Sequence, residues 1–293
     1  MKKYILYLIS GIIIASYFFI PDVIINASKK GIMLWFNTVL PTLFPCIIIS
    51  NILIRSNLLN NKNRLTEIIT IISGIGLGFP IGAKLTADFY RDNLLEKKDA
   101  QFLLSHSNHF SFGFISGYAV ISLPQSKKYA IYAYIILYFP YIVSIIFHLL
   151  TKKTPQKMTQ KTTPKFSLNM QNIDAAIIYG FESLEKICGY IVFFSIISSI
   201  VNELCNKGSQ LLILLICALE ATSGINMISS SDINIVIKYC ITIFTLSFGG
   251  LSCLFQTKSI IADTDLSTKK YIVTKVIYGI ISVILVQLLF FLS

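Results

Sequence analysis

Lys84 ends the stretch Ser73–Lys84, in which four glycines and Pro80 interrupt an otherwise apolar run. Glycine and proline make it a poor helix, although it is apolar enough to enter a bilayer. Backbone left unpaired in hydrocarbon costs several kcal/mol per group, so such a segment survives only inside protein or beside a water-filled cavity. Broken segments of this kind are where transporters build solute sites, and the chemistry open to Lys84 there is binding. The competing reading is a lysine that snorkels to the cytoplasmic interface and meets lipid or Asp88. Glu220 is the second candidate, a lone carboxylate in the apolar run Leu211–Ile228. Its roles could include proton coupling, pairing with Lys84, or satisfying backbone amides. His106 and His109, three residues apart, could face one metal. With no cysteine or carboxylate converging on them, helix packing is the expected role. No phosphate-binding GxxxxGK[ST], HExxH or nucleophile elbow is present, so neither an enzyme nor a cofactor is expected.

The elements that must position these residues are membrane spans. Of 293 residues 54% are hydrophobic and 13% charged, and the mean hydropathy is +0.71. A soluble domain carries roughly 25% charged residues, so the chain is read as an all-α, polytopic integral membrane protein. The net charge of +11 would suggest nucleic acid in a soluble protein; here the cations mostly occupy short loops facing anionic lipid. Only Arg55, Arg64 and Arg91 among the 25 basic residues are arginine, which weakens any nucleic-acid surface. The six cysteines never approach CxxC spacing and are read as small buried hydrophobes.

In chain order, Lys2 and Lys3 precede a first span, Tyr4–Ile20, read as a retained signal-anchor helix because no small-residue cleavage site follows. Gly31–Ile54 is a second span that Pro41 and Pro45 should kink or break. Arg55–Glu67 is a polar connection, and Ile68–Tyr90 contains the broken element. Glu96–Phe110, whose charges Glu96–Asp99 read as a solvated face, runs into Phe112–Leu123. Tyr129–Leu150 is a clear span, its tyrosines read as belt and core and His148 as interfacial. Thr151–Asn169 holds five lysines, Lys152, Lys153, Lys157, Lys161 and Lys165, and no acid, so it is a solvated linker. Ala175–Val201, Leu211–Ile228, Ile233–Ile261 with Gly249-Gly250 in its middle, and Tyr271–Leu292 follow.

The halves echo each other. Gly31…Pro41–Pro45…Ile52 answers to Gly180…Phe193…Ile200, and Gly74–Lys84 to Glu220–Gly224. Phe102–Ser116 answers to Ile241–Phe255 and Lys127-Lys128-Tyr129 to Lys269-Lys270-Tyr271, the last two at nearly one offset. With Lys2 and Lys3 inside, the basic segments Arg55–Glu67, Thr151–Asn169 and Lys258–Lys270 all face the cytoplasm, and the loops near Asp22–Lys30, Leu123–Lys128 and Asn202–Gln210 face out. Lys127 and Lys128 violate the positive-inside preference but do not outweigh the long basic loop. The expected architecture is a helical bundle of two inverted repeats, each with a broken or re-entrant helix. Its parts are an N-terminal helix over 1–30, repeats over 31–150 and 173–293, and a linker over 151–172.

The motifs resemble a family. Gly78-Phe79-Pro80-Ile81-Gly82-Ala83-Lys84-Leu85-Thr86 is similar to the glycine-proline-glycine-alanine-lysine motif of sporulation integral membrane proteins with a nucleoside-recognition (Gate) domain. Leu40–Pro45, Ser105–Ser111, Glu220-Ala221-Thr222-Ser223-Gly224, Ser247–Ser252, Gln256-Thr257 and Ala262–Asp265 resemble its other signatures in order, although His109 and Phe112 depart from the pattern. The family's Gate halves resemble concentrative nucleoside transporters, and its stage V sporulation members are associated with moving dipicolinic acid across the outer forespore membrane. The resemblance thus implies a small aromatic dicarboxylate as solute, with a nucleoside-like solute or a structural role in the spore envelope as alternatives. Lys84 would compensate the dianion, and amides around Gly78 and Gly82 would add helix-terminus donors. Asn108, Ser111, Thr222, Ser223, Ser247 and Gln256 would orient the ring by neutral hydrogen bonds. Pro80, Glu220, Gly224 and Gly250 complete the implied substrate-binding set. The partners expected are this anionic solute and membrane lipid, with no nucleic acid and a homo-oligomer left open.

Overall fold

The computed structural model describes residues 2–55, 64–115, 127–151, 169–205 and 209–292. Among them every regular element is helical, the form in which a segment crossing hydrocarbon satisfies its own backbone. The helices are α1 (Lys2–Phe19), α2 (Pro21–Leu34), α3 (Leu40–Arg55), α4 (Arg64–Leu77), α5 (Ile81–Arg91), α6 (Lys97–His106) and α7 (Lys127–Thr151). They continue as α8 (Met170–Leu204), α9 (Gln210–Leu219), α10 (Ala221–Ser229), α11 (Ile235–Phe248), α12 (Gly250–Ile260) and α13 (Thr268–Leu292). Four stretches, Ile131–Thr151, Met170–Leu204, Ile235–Ile260 and Thr268–Phe291, are long and apolar enough to cross a membrane; α1 with α2 makes a fifth if that bent pair is one span. The chain is a multi-pass membrane protein.

Pro21 starts α2 at its first turn, where its missing N–H costs nothing, and the axis turns 114° at this junction. The break expected near Pro41 and Pro45 is absent. Trp35–Val39 widens into a π-turn just before Pro41, and α3 runs on through Pro45. One wider turn absorbs the proline mismatch without ending the helix. This long arm packs along α8, whose 35 residues rise about 52 Å, more than the roughly 30 Å hydrocarbon core. Small residues let the two approach: a Cβ on Gly31 would lie 3.0 Å from the Val192 backbone, and one on Gly180 would lie 3.1 Å from the Phe44 ring. Trp35 Nε1 donates to the Leu184 carbonyl at 2.9 Å and Ser195 Oγ to the Ala27 carbonyl at 3.0 Å. A second scaffold joins α7, α11 and α13 around Ala133, Tyr239, Ile243 and Val286.

Four helices are interrupted, and one of them, α11, also belongs to the second scaffold. In the first half α4 breaks at Gly78-Phe79-Pro80 before α5, and α6 breaks at Ser107–Ser111 before the single turn Phe112–Phe114. In the second, α9 breaks at Glu220 before α10, and α11 at Gly249 before α12. Three glycines four residues apart explain the first pair. A Cβ on Gly74 would sit 1.9 Å and one on Gly82 2.1 Å from the Ser107 carbonyl oxygen, and one on Gly78 would sit 2.3 Å from Ser111 N. Gly78 also has φ of +83°, whereas Gly76 faces open space. At the other crossing, α10 folds back on α9 so closely that a Gly224 Cβ would lie 2.6 Å from the Cys217 Cα. Gly250 lies against the carbonyls of Cys217, Ala218 and Leu219. Gly249 caps α11 in the left-handed region at φ +87°. Gly249→Ala is therefore expected to cost about 1–2 kcal/mol, read as a lower melting temperature in detergent; an unchanged melt would mean the break relaxes.

The linker Thr151–Asn169 and the loop Leu123–Lys128 fall almost wholly outside the described residues, as does most of Arg55–Glu67. The cysteines with described side chains are all unbridged, but the expectation of burial fails at one. Cys217 and Cys253 are buried, Cys188 and Cys240 half-buried, and Cys205, at the end of α8, is exposed.

Candidate functional site

The first half-helix, α5, is buried from Ile81 to Phe89, so Lys84 faces protein, not lipid. The i, i+4 spacing brings its ammonium 2.9 Å from Asp88 Oδ1, and it also donates to the Tyr179 hydroxyl of α8. The same Asp88 oxygen accepts from Arg91 at 2.7 Å and from the Tyr179 hydroxyl at 2.9 Å. Arg91 continues outward to the Ile260 carbonyl at 2.6 Å and to Asp263. Asp265 accepts from Lys97 and from the Tyr90 hydroxyl, each at 2.7 Å. The acidic stretch Ala262–Asp265 is thus a latch from the end of α12 to the first broken element. Lys97 and Tyr90 hold the Asp265 carboxyl below the usual range; at Asp263 burial works against ionisation and Arg91 outweighs it.

In the second half-helix Glu220 has extended backbone, and its carboxylate caps α10. It accepts from Thr222 N at 2.9 Å, from Ser223 N at 2.7 Å and from the Thr222 hydroxyl. Of its three candidate roles the geometry displays the last, satisfaction of backbone amides. No ion pair joins it to Lys84. The α10 N-terminus therefore points at its own carboxylate.

Three adjoining cavities run past these elements. The first, about 320 Å³, is walled by Lys84, Arg91, Tyr179, Glu182, Lys186 and Asp263 among others. Its wall carries three cations against two anions, and Asp88 behind it brings the sum to zero. The second, about 420 Å³, is lined mainly by apolar groups, Phe79, Phe110 and Phe114 with Ser111, Thr222 and Glu220. It meets the first at Pro80, Ile187 and Gln256. The third, about 620 Å³, lies beyond Glu220 and Thr222, is lined by Ser223, Asn226 and Ser198, and shares Leu34 and Ile191 with the second.

The candidate residues thus divide. Pro80, Lys84, Ser111, Glu220, Thr222, Ser223 and Gln256 line this succession of cavities. Gln256 also donates to Ser252 Oγ at 3.0 Å, and Ser111 caps the turn that follows it. Gly78, Gly82, Gly224 and Gly250 pack against neighbouring backbone. Asn108 is a buried cross-link, accepting from Ala83 N at 3.4 Å and donating to Thr257 and Tyr271 at 3.1 Å each. Ser247 pairs with the Tyr141 hydroxyl at 3.2 Å behind the cavities.

Other expectations change. Asp99 is buried, leaving only Glu96, Lys97 and Lys98 of the supposed solvated face exposed. Asp99 Oδ1 and Glu67 Oε2 lie 3.6 and 3.8 Å from His148, which stacks on Phe102 with ring centroids 3.9 Å apart. His106 binds the Tyr278 hydroxyl at 3.0 Å and the Phe102 carbonyl at 2.8 Å, a packing role. No group of three metal-ligating side chains occurs among the described residues. Tyr138 and Tyr134 do more than form a belt: they donate to the carbonyls of Phe110, in the break, and Phe112, in the turn that follows it. Lys275, 2% exposed and two turns inside α13, is a further candidate functional residue whose one mark in the sequence is a lone cation in the apolar run Tyr271–Leu292.

Over 96% of its length the chain is similar to sporulation integral membrane protein YlbJ of Bacillus subtilis (strain 168), at 24% identity and covering 83% of that protein. No family model matches the chain, so the Gate-domain resemblance rests on the motifs alone. No solved structure matches it.

Proposed function

We propose that the protein is a transporter of a small anionic aromatic solute, with dipicolinate moved during sporulation as the leading candidate. The observation that carries this reading is the succession of cavities along α8, of which the first two are lined by broken helices of both halves and the third by those of the second half. One end offers three cations among nearby carboxylates, the middle offers phenyl faces, and the far end offers hydroxyls, the amides of Asn37, Asn202 and Asn226, and Lys30. A solute carboxylate fits beside Lys84, Arg91 and Lys186, and its ring fits among Phe79, Phe110 and Phe114. Each half of the chain also follows one order: a long helical arm, two interrupted helices, then a long helix. Two inverted repeats of that kind would expose the central cavity alternately to either side. The similarity to a sporulation membrane protein supports a sporulation setting, and the outer forespore membrane is the location we assign.

A nucleoside-like solute is the second reading. It is favoured by one observation: the middle cavity is lined by no cation, so an uncharged heterocycle fits it without compensation. Purified protein in liposomes loaded with terbium, which luminesces on binding dipicolinate, separates the readings. Dipicolinate entry well above protein-free vesicles is expected, with uridine not competing. Ile187→Trp, which fills the junction of the first two cavities, is expected to slow entry roughly tenfold while the protein stays folded. Competition by uridine would favour the second reading. No flux of either solute would leave a structural or assembly role in the spore envelope.

A further inference from the structure

A lysine inside a membrane span is expensive and is retained where it is paired or works. The Lys275 ammonium donates to the Asn108 carbonyl at 2.6 Å and to His109 Nδ1 at 3.1 Å, and it lies 4.8 Å from the Tyr141 ring centroid. None of these partners is a carboxylate. His109 Nε2 lies 2.7 Å from the His106 carbonyl. A carbonyl can only accept, so Nε2 carries the ring hydrogen and the neutral imidazole offers a bare Nδ1 to Lys275. The ammonium therefore donates to a ring nitrogen whose lone pair is free to take its proton. The other ionisable groups facing the pair are His106 from α6, Tyr138 and Tyr141 from α7, Cys253 from α12 and Tyr271 from α13 itself. From α11 the surrounding hollow takes Leu246, Ser247 and Phe248, none ionisable.

The position is as informative as the chemistry. Asn108 and His109 belong to the unwound stretch of the first half, and Gly249, which lines the same hollow, is the break of the second. Lys275 thus tethers one interrupted helix where it crosses the other. Phe79, Phe110 and Cys253 line both this hollow and the middle cavity, so they form the wall between lysine and solute.

We propose that Lys275, with His109, is a proton-binding site that couples anion movement to protons; this rests on the transporter reading above. With the proton bound, the ammonium stabilises an anion beyond the wall and pins the Asn108 carbonyl. When the solute has left, an N–H bond breaks at Nζ and one forms at His109 Nδ1, giving a neutral amine and an imidazolium. Water admitted by the opened side takes the Nδ1 proton as hydronium, and the Asn108 carbonyl loses its charged donor. The tether then weakens, which favours return of the site without solute.

The test uses the purified full chain in liposomes held at zero membrane potential, with a pH-sensitive dye inside. Dipicolinate entry through the unaltered protein is expected to acidify the lumen, and a basic interior to accumulate it about tenfold per pH unit for each proton carried. Lys275→Gln keeps a donor for the Asn108 carbonyl but has no proton to release. Lys275→Arg keeps the charge and cannot be deprotonated. Both are expected to lose accumulation driven by the pH difference, the ratio falling to one, and Lys275→Arg, which keeps the charge, is expected to retain exchange of labelled for unlabelled dipicolinate. Accumulation persisting in either variant overturns the proposal, as does joint loss of exchange and accumulation in folded Lys275→Arg. Should neither variant fold, the unaltered protein decides, since flux without acidification overturns coupling and acidification supports it. Absence of any flux in the unaltered protein instead removes the transporter reading and this inference with it.

Discussion

Gly82→Ala is expected to leave little folded protein in the membrane, although it adds one methyl group. The added Cβ would meet the Ser107 carbonyl carbon at 2.4 Å and its oxygen at 2.1 Å, and both are backbone atoms. That backbone has nowhere to go. Ser107 is bonded to the Leu103 carbonyl through its own N–H at 2.8 Å and its hydroxyl at 2.7 Å. The next residue, Asn108, is tied to Thr257, Tyr271 and Lys275. Overpacking a rigid core costs typically about 1–3 kcal/mol, and here relief would also pull Asn108 from bonds that unite both halves, so about 3 kcal/mol or more is expected. Gly74→Ala should behave alike, because its Cβ would lie 1.9 Å from the same oxygen. Gly76→Ala is the control: its Cβ meets nothing within 4 Å, and alanine is the better helix former by about 0.5–1 kcal/mol. Melting of the three variants in detergent checks this. A Gly82→Ala protein as stable as the unaltered chain would show that the two breaks do not pack as described.

This contrast shows which features a reader of the chain could find. Breaks at Gly78–Pro80, Glu220 and Gly249-Gly250 are legible because glycine, proline or a lone carboxylate in an apolar run is a local signal. What each break packs against is not local. Four glycines near Pro80 look alike in the sequence, yet Gly74, Gly78 and Gly82 meet the backbone of Ser107–Ser111 and Gly76 meets open space. The partnership of Lys84 with Asp88 follows from helical spacing; Tyr179, which bonds both, comes from another helix and leaves no mark nearby. Proline marks Pro41 and Pro45 but does not say whether a helix will stop or widen, and a π-turn is a small enough adjustment to keep α3 intact. Lys275 was legible as a charge in the wrong solvent, but its partners, Asn108 and His109, come from α6's far end, and only the fold assembles them.

The buried charges around α5 give the second large effect, a split between two neighbours. Asp88→Asn is expected to unfold the first cavity, whereas Lys84→Gln is expected to spare the fold and abolish solute flux. One Asp88 oxygen accepts from Lys84, Arg91 and Tyr179, so neutralising Asp88 leaves a buried ammonium with no carboxylate partner and Arg91 with only Asp263. Stranding a buried charge in this way costs about 3–5 kcal/mol. Lys84→Gln leaves Asp88 its bonds to Arg91 and Tyr179, and glutamine can still donate, so the loss is about 1 kcal/mol. The double variant removes the stranded ammonium and should recover about 1–3 kcal/mol of the Asp88→Asn loss. Melting temperatures of the two single variants and the double, set beside dipicolinate entry for each, read both halves of the split. Full flux in folded Lys84→Gln would confine Lys84 to holding α5 against α8, and Arg91 and Lys186 would then be the only cations on that cavity wall able to meet an anion. An undiminished melt for Asp88→Asn would mean that water, not protein, balances the cations at this end of the bundle.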